Sequence, residues 1–202
     1  MWIYLIQGLG FGLAAASQPG PLQTYLITQA LSRGWKRSLV NALAPLVSDG
    51  PIILLCVSIL SQVPDWFQCF LYIGGGIFIL YLAYGAFKSW RDFDVNAPQP
   101  ESKISGLPRA ALVNALAPGA YIFWTLVTGP ILVAGWRESP VNGIGFLAGF
   151  YIAMIGTLAA IIIVFGTASK LGPKVNRTLL GASSIALFGF GLYQLWRGIV
   201  VG

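Results

Sequence analysis

Apolar positions in this chain neither alternate nor keep to one helical face; they run on until a charge interrupts them. Cutting the sequence at its charges leaves six stretches: Met1 to Ser32, Ser38 to Pro64 with Asp49 as its only charge, Trp66 to Phe87, Ala110 to Trp136, Ser139 to Ser169 and Thr178 to Trp196. An α-helix needs roughly 20 mostly apolar residues to cross hydrocarbon. Away from water every backbone N–H and C=O must be satisfied inside the protein, so such stretches are helices or the strands of a closed barrel. Barrel strands are about ten residues long and alternate in polarity, and these stretches do not. The pattern predicts an all-α integral membrane protein with six transmembrane helices.

The longest polar segment, Lys88 to Arg109, holds Arg91, Asp92, Asp94, Pro98, Pro100, Glu101 and Lys103. It divides the chain into a first three-helix membrane repeat at 1–90, a cytoplasmic linker at 91–108 and a second three-helix repeat at 109–202. The halves echo each other. Leu82 to Arg91 reads LAYGAFKSWR and Phe188 to Arg197 reads FGFGLYQLWR, each at the end of a third span. Pro19-Gly20 and Pro118-Gly119 each fall in a first span. Three is odd, so the halves must cross in opposite senses, and inverted repeats are a transporter device. The alternative is chance similarity between low-complexity helices. A second echo, VNALAP at Val40 to Pro45 and again at Val113 to Pro118, relates spans two and four, which run the same way. It has no place in a three-plus-three repeat.

Composition agrees with the pattern. Of 202 residues, 56% are hydrophobic and 9% charged, and the mean hydropathy is +0.76; a soluble domain carries about 25% charged residues. The net charge of +6 could suggest nucleic acid, but Lys and Arg lie between or at the ends of the apolar stretches and are not interleaved with aromatics. They read as topogenic charge. Arg33, Lys36, Arg37, Lys88, Arg91, Lys103, Arg109, Lys170, Lys174 and Arg177 share one side, with Arg137 and Arg197 on the other. The positive-inside rule places the rich side in the cytoplasm and both termini outside it. The first 32 residues carry no charge, unlike the basic start of a signal peptide, and are expected to be a retained span.

Two places could carry chemistry. Proline removes a backbone donor and clashes one turn back, so Pro19-Gly20-Pro21 should break the first span. An unbroken helix of 32 residues would measure about 48 Å against about 30 Å of hydrocarbon. A break exposes N–H groups and carbonyls at depth, which is tolerated where they line a cavity and suits a substrate carboxylate. Gln18, Gln23 and Thr24 flank this break; Asn114, Tyr121 and Trp124 flank its counterpart at Pro118-Gly119. A packing kink is the plainer alternative. Asp49 is the only acid inside a span; an intramembrane carboxylate costs about 2.5 to 3.5 kcal/mol on insertion scales. It is a candidate proton carrier or contact for a substrate ammonium, with a structural hydrogen bond as the alternative. Asn41, Pro45 and Asp49 recur every four residues and are expected on one face. The candidate substrate-binding residues are Gln18, Pro19, Gly20, Pro21, Gln23, Asn41, Asn114, Pro118, Gly119 and Tyr121, with Asp49 for proton coupling. Gly8 to Gly12 and Gly145 to Gly149 have the spacing of close helix contacts, within one chain or between subunits of a homo-oligomer.

Histidine is absent and Cys56 and Cys69 lie in apolar stretches. That leaves no Ser-His-Asp arrangement, no zinc cluster and no disulfide framework; neither an enzyme nor a cofactor or metal site is expected.

The chain resembles the LysE-type amino-acid exporters (the LysE/RhtB superfamily) over essentially its whole length. The residues that carry the resemblance are Gln18 to Pro21 (QPGP), the following Arg33-Gly34-Trp35-Lys36, Asp49 in the second span, and Asn114 with Pro118-Gly119 opening the second half. Many members have Asn directly before that proline; here Ala117 stands there. The resemblance implies export of amino acids or related metabolites across a bacterial inner membrane, driven by protons. Two rivals come from the same superfamily. A redox conduit would want cysteines beside the helix breaks, and a metal-ion exporter would want intramembrane acids and histidines. A non-transport scaffold subunit would explain the glycines but not the paired breaks.

Overall fold

Proline and glycine set where these helices start and stop. In the computed structural model, which describes residues 2–18, 20–59, 65–91, 106–168 and 172–201, the first apolar stretch is two helices, α1 (Trp2–Ser17) and α2 (Pro21–Arg33). Pro21 opens α2, where its missing N–H costs nothing, and Gly20 before it is extended. Pro19 and the linker residues 92–105 lie outside the described residues. Gly34, at φ 79, turns the chain into α3 (Trp35–Ser38), a conformation that favours glycine. A 3₁₀ turn at Leu39–Leu43 then leads into α4 (Ala44–Ile59). α5 (Asp65–Arg91) completes the first half.

The second half opens with α6 (Leu107–Ala115) and breaks before α7 (Pro118–Phe123). A π-helical turn at Trp124–Thr128, α8 (Gly129–Glu138), α9 (Pro140–Ala168) and α10 (Pro173–Val201) follow. No strand occurs among the described residues. Among the described residues three helices are long and apolar enough to cross a membrane: Trp35–Leu55, Pro140–Ala168 and Lys174–Val200. Trp2–Ser17 and Tyr72–Lys88 are shorter apolar helices. The outer surface fits such a setting. Ile152, Ile185 and Ile199 are exposed, while Thr28, Asn41, Asp49, Asn114 and Gln194 are buried.

Helices meet through glycine. α1 and α9 run the same way, with Gly8 and Gly12 against the backbone of Phe146 and Phe150 and Gly149 against that of Leu5 and Leu9. The two small-residue pairs read from the sequence therefore serve one contact inside the chain. α5 and α10 run in opposite directions: Gly76 sits on Leu195, Gly191 on Leu80 and Gly181 on Trp90. Each end of that pair carries an arginine of α10 over a ring of α5, Arg177 over Trp90 at 5.6 Å and Arg197 over Tyr72 at 5.7 Å. The echoed glycines of these helices fare differently. Gly191 is buried, whereas a side chain at Gly85 would meet nothing within 4 Å.

The VNALAP echo has a local explanation. Proline four residues after asparagine cannot donate to the asparagine carbonyl. In both copies the N–H three residues on takes its place: Ala44 donates to the Asn41 carbonyl, and Ala117 to the Asn114 carbonyl at 3.1 Å. The repeated hexapeptide is a backbone device that tightens a turn before proline. The two copies also have different surroundings: Asn41 lies against Gly106, while Asn114 lies against Ser48 and Asp49. Pro45 and Pro51 on either side of Asp49 would suggest a distorted helix there, but the irregularity lies elsewhere. It falls before Ala44, and α4 continues through Pro51.

Candidate functional site

Asp49 is 1% exposed, on α4. An ionised carboxylate at such a place needs hydrogen bonds or a charged partner. It receives them from three other elements. The Asn114 amide, near the end of α6, donates to Asp49 Oδ1 at 2.7 Å and to Ser48 Oγ at 2.8 Å. Ser48 in turn donates to the Ala44 carbonyl at 3.0 Å, so its hydroxyl is used in both senses. The Tyr151 hydroxyl on α9 donates to Asp49 Oδ2 at 3.5 Å, and the Trp124 indole N–H, first residue of the π-helical turn, also donates to the carboxyl.

Aromatic packing aims the last two. Phe150 lies 5.0 Å from the Trp124 ring and 5.4 Å from that of Tyr151, with Phe146 stacked behind it. Trp124 is held by the turn itself, since a side chain at Gly129 would collide with the Trp124 carbonyl. π-Helical turns of this kind gather at functional sites. The named donors to Asp49 are all neutral. Tyr151 also lines an apolar groove of about 770 Å³ with Leu46, Trp136, Leu147 and Ile152.

The two helix breaks are fastened alike. At the first, the Gln23 amide donates to the carbonyls of Ala16 at 3.2 Å and Ala15 at 3.5 Å, the last of α1. At the second, the Tyr121 hydroxyl donates to the Ala115 carbonyl at 2.9 Å, the last of α6. Carbonyls at a helix end have no partner in the helix, and in both halves a side chain from the following helix supplies one.

Of the residues singled out by sequence, Asn114 and Asp49 come together. Gln23 and Tyr121 turn to the backbone. Gln18 is exposed on the bend before α2, and Gly119 faces open space beside buried Pro118. Asn41 does not share the Asp49 site. It belongs to the 3₁₀ turn, where it packs on Gly106. Trp124 was noted beside the second break without a role, and Ser48 and Tyr151 were not singled out; of those two, only the adjacency of Ser48 to Asp49 gave a hint.

Residues 13–198 match the family model of the LysE type translocator. The chain belongs to the LysE type translocator family. Translocators of this family are transporters and not enzymes. The arginine exporter protein ArgO of Shigella flexneri is 27% identical over 141 residues, 65% of this translocator and 64% of the relative. ArgO of Escherichia coli O157:H7 gives the same values. YcgF of Bacillus subtilis, described as an amino acid efflux candidate, is 24% identical over 196 residues, 93% of each chain. The translocator thus spans less than two thirds of ArgO's length. No solved structure matches it.

Proposed function

We propose that this translocator exports amino acids or closely related metabolites across a bacterial inner membrane, coupled to protons through Asp49. The observation that carries the reading is the Asp49 cluster, a buried carboxyl held by neutral donors from α6, the π-helical turn and α9. A charge at that depth is costly, so a group that binds a proton in one state and a substrate ammonium in another has a use for it. The family match and the names of ArgO and YcgF supply the substrate class.

The architecture we infer is six spans as two inverted three-helix repeats, α1 to α5 and α6 to α10. The packing supports it. α1 packs on α9 as α6 packs on α4, and the last helices of the two halves, α5 and α10, pack on each other. A two-fold exchange of the halves would give those pairings. Both halves also open on a helix broken at proline and latched by a side chain. Rocking one repeat against the other would alternate access to the Asp49 site. The excess of Lys and Arg on one side sets both termini outside the cytoplasm.

The test is flux into and out of proteoliposomes loaded with labelled amino acids under a pH gradient of either sign. Movement of a subset of amino acids that follows the gradient is expected. Folded protein that moves none of them would sink the export reading.

A further inference from the structure

Away from Asp49, three buried polar atoms without a hydrogen-bond partner lie on α2 and the 3₁₀ turn, elements that pack on each other and on α6: the Tyr25 hydroxyl, Gln29 Oε1 and Asn41 Oδ1. Tyr25 is 2% exposed and Asn41 1%. Tyr25 and Gln29 are one turn apart on α2 and share a face. Asn41 reaches the first turn of α6, since a side chain at Gly106 would meet its Oδ1. Arg109 stands one turn further along α6, and it and Arg33 are the charges felt at the Tyr25 hydroxyl. α2 packs on both the 3₁₀ turn and α6, which closes the group.

Buried polar atoms without partners are rare because each costs stability. Here the unmet groups are of two kinds. A hydroxyl in the field of the Arg109 and Arg33 charges offers a donor and a positive potential, whereas two amide oxygens offer acceptors. A zwitterionic head group presents a carboxylate to the first kind and an ammonium to the second. Arginine's fork suits a carboxylate in particular.

We propose that Tyr25, Gln29, Asn41 and Arg109 form a second binding site, at the basic end of the bundle, for the head group of an α-amino acid. The carboxylate is held by Arg109 and the Tyr25 hydroxyl, the ammonium by the amide oxygens of Asn41 and Gln29. This rests on the amino-acid reading above. The site then recognises what all amino acids share, on the side from which export begins, and leaves the side chain and the proton to the Asp49 region.

The experiment is equilibrium binding of labelled L-arginine, L-lysine and L-leucine to the purified full-length protein, with amino-acid carboxamides as competitors, alongside flux. Arg109→Gln and Tyr25→Phe are expected to weaken binding about tenfold, the size of one hydrogen bond to a charge. They should raise the KM of flux with little change in its maximal rate. Carboxamides should compete poorly on the wild type and nearly as well as the acids on Arg109→Gln. The exposed Lys36→Gln serves as the charge-loss control. Tyr25→Phe guards against a folding effect: removing an unpartnered hydroxyl should leave Tm unchanged or raise it while binding falls. Unchanged binding in both variants, or equal loss of acid and carboxamide, would overturn the site. The export reading fails separately, if Arg109-dependent binding is present but nothing crosses the membrane.

Discussion

The two helix breaks are built by the same means and do different work. Each follows from proline, and each ends a half-helix whose last carbonyls a later side chain fastens. Around the first break the polar side chains serve the backbone: Gln23 caps α1, and Thr24 donates to the Gly20 carbonyl at 2.9 Å. Around the second, one turn before the break, Asn114 reaches across to Asp49 and Ser48. The comparison separates the hinge from the chemistry. A broken helix alone gives a place to bend, and it becomes a site when a neighbouring helix brings an acid to it.

Substitutions can test that asymmetry, beginning with the acid. Asp49→Asn keeps size but loses the charge and turns one accepting oxygen into a donor; flux driven by a pH gradient should fall to that of protein-free vesicles while the protein still inserts. Asn114→Ala comes next, since it removes the short donor to a carboxylate. The loss of about 1.5 to 3 kcal/mol for such a bond translates to roughly 10- to 100-fold in flux. The latches rank third. Gln23→Ala and Tyr121→Phe should each cost about 1 kcal/mol of stability, read as matching small drops in thermal midpoint, but Tyr121→Phe should slow flux more because its break adjoins Asp49. Equal flux in the two variants would erase the proposed division of labour. The smallest effect is assigned to Tyr151→Phe, whose bond to Asp49 is long at 3.5 Å; a change in flux of less than about threefold is expected from a hydrogen bond beyond the usual range. A loss as large as that of Asn114→Ala would mean that Tyr151 closes on the carboxyl in another state.

Much of this was legible in the sequence, for reasons that differ by residue. Proline and glycine act through the backbone whatever surrounds them, so both breaks could be placed before any packing was known. Asp49 stood out because one acid in hydrocarbon is conspicuous anywhere. Asn114 was flagged by its distance from Pro118, and packing gave it a partner. Trp124 was marked only by its place after the second break and Tyr151 not at all, because aromatics are common in apolar helices and only the stacking around Phe150 turns these two toward the acid. Gln23 and Tyr121 were read as substrate contacts, and here each bonds a backbone carbonyl of the helix before the break. A side chain beside a break can face a cavity or a carbonyl, and the rotamer that decides is invisible in a linear sequence. Glycine pairs announced close contact between helices but could not say that α1 and α9 were the two involved.

The central claim is that Asp49 couples solute movement to protons, and the most direct measurement is internal pH. Proteoliposomes would carry a trapped pH-sensitive dye and an outward gradient of a transported amino acid, with no pH gradient imposed at the start. The account predicts a pH change that accompanies amino-acid efflux in the wild type and vanishes in Asp49→Asn. Amino-acid efflux with no pH change in the wild type, or an undiminished pH change in Asp49→Asn, would contradict it.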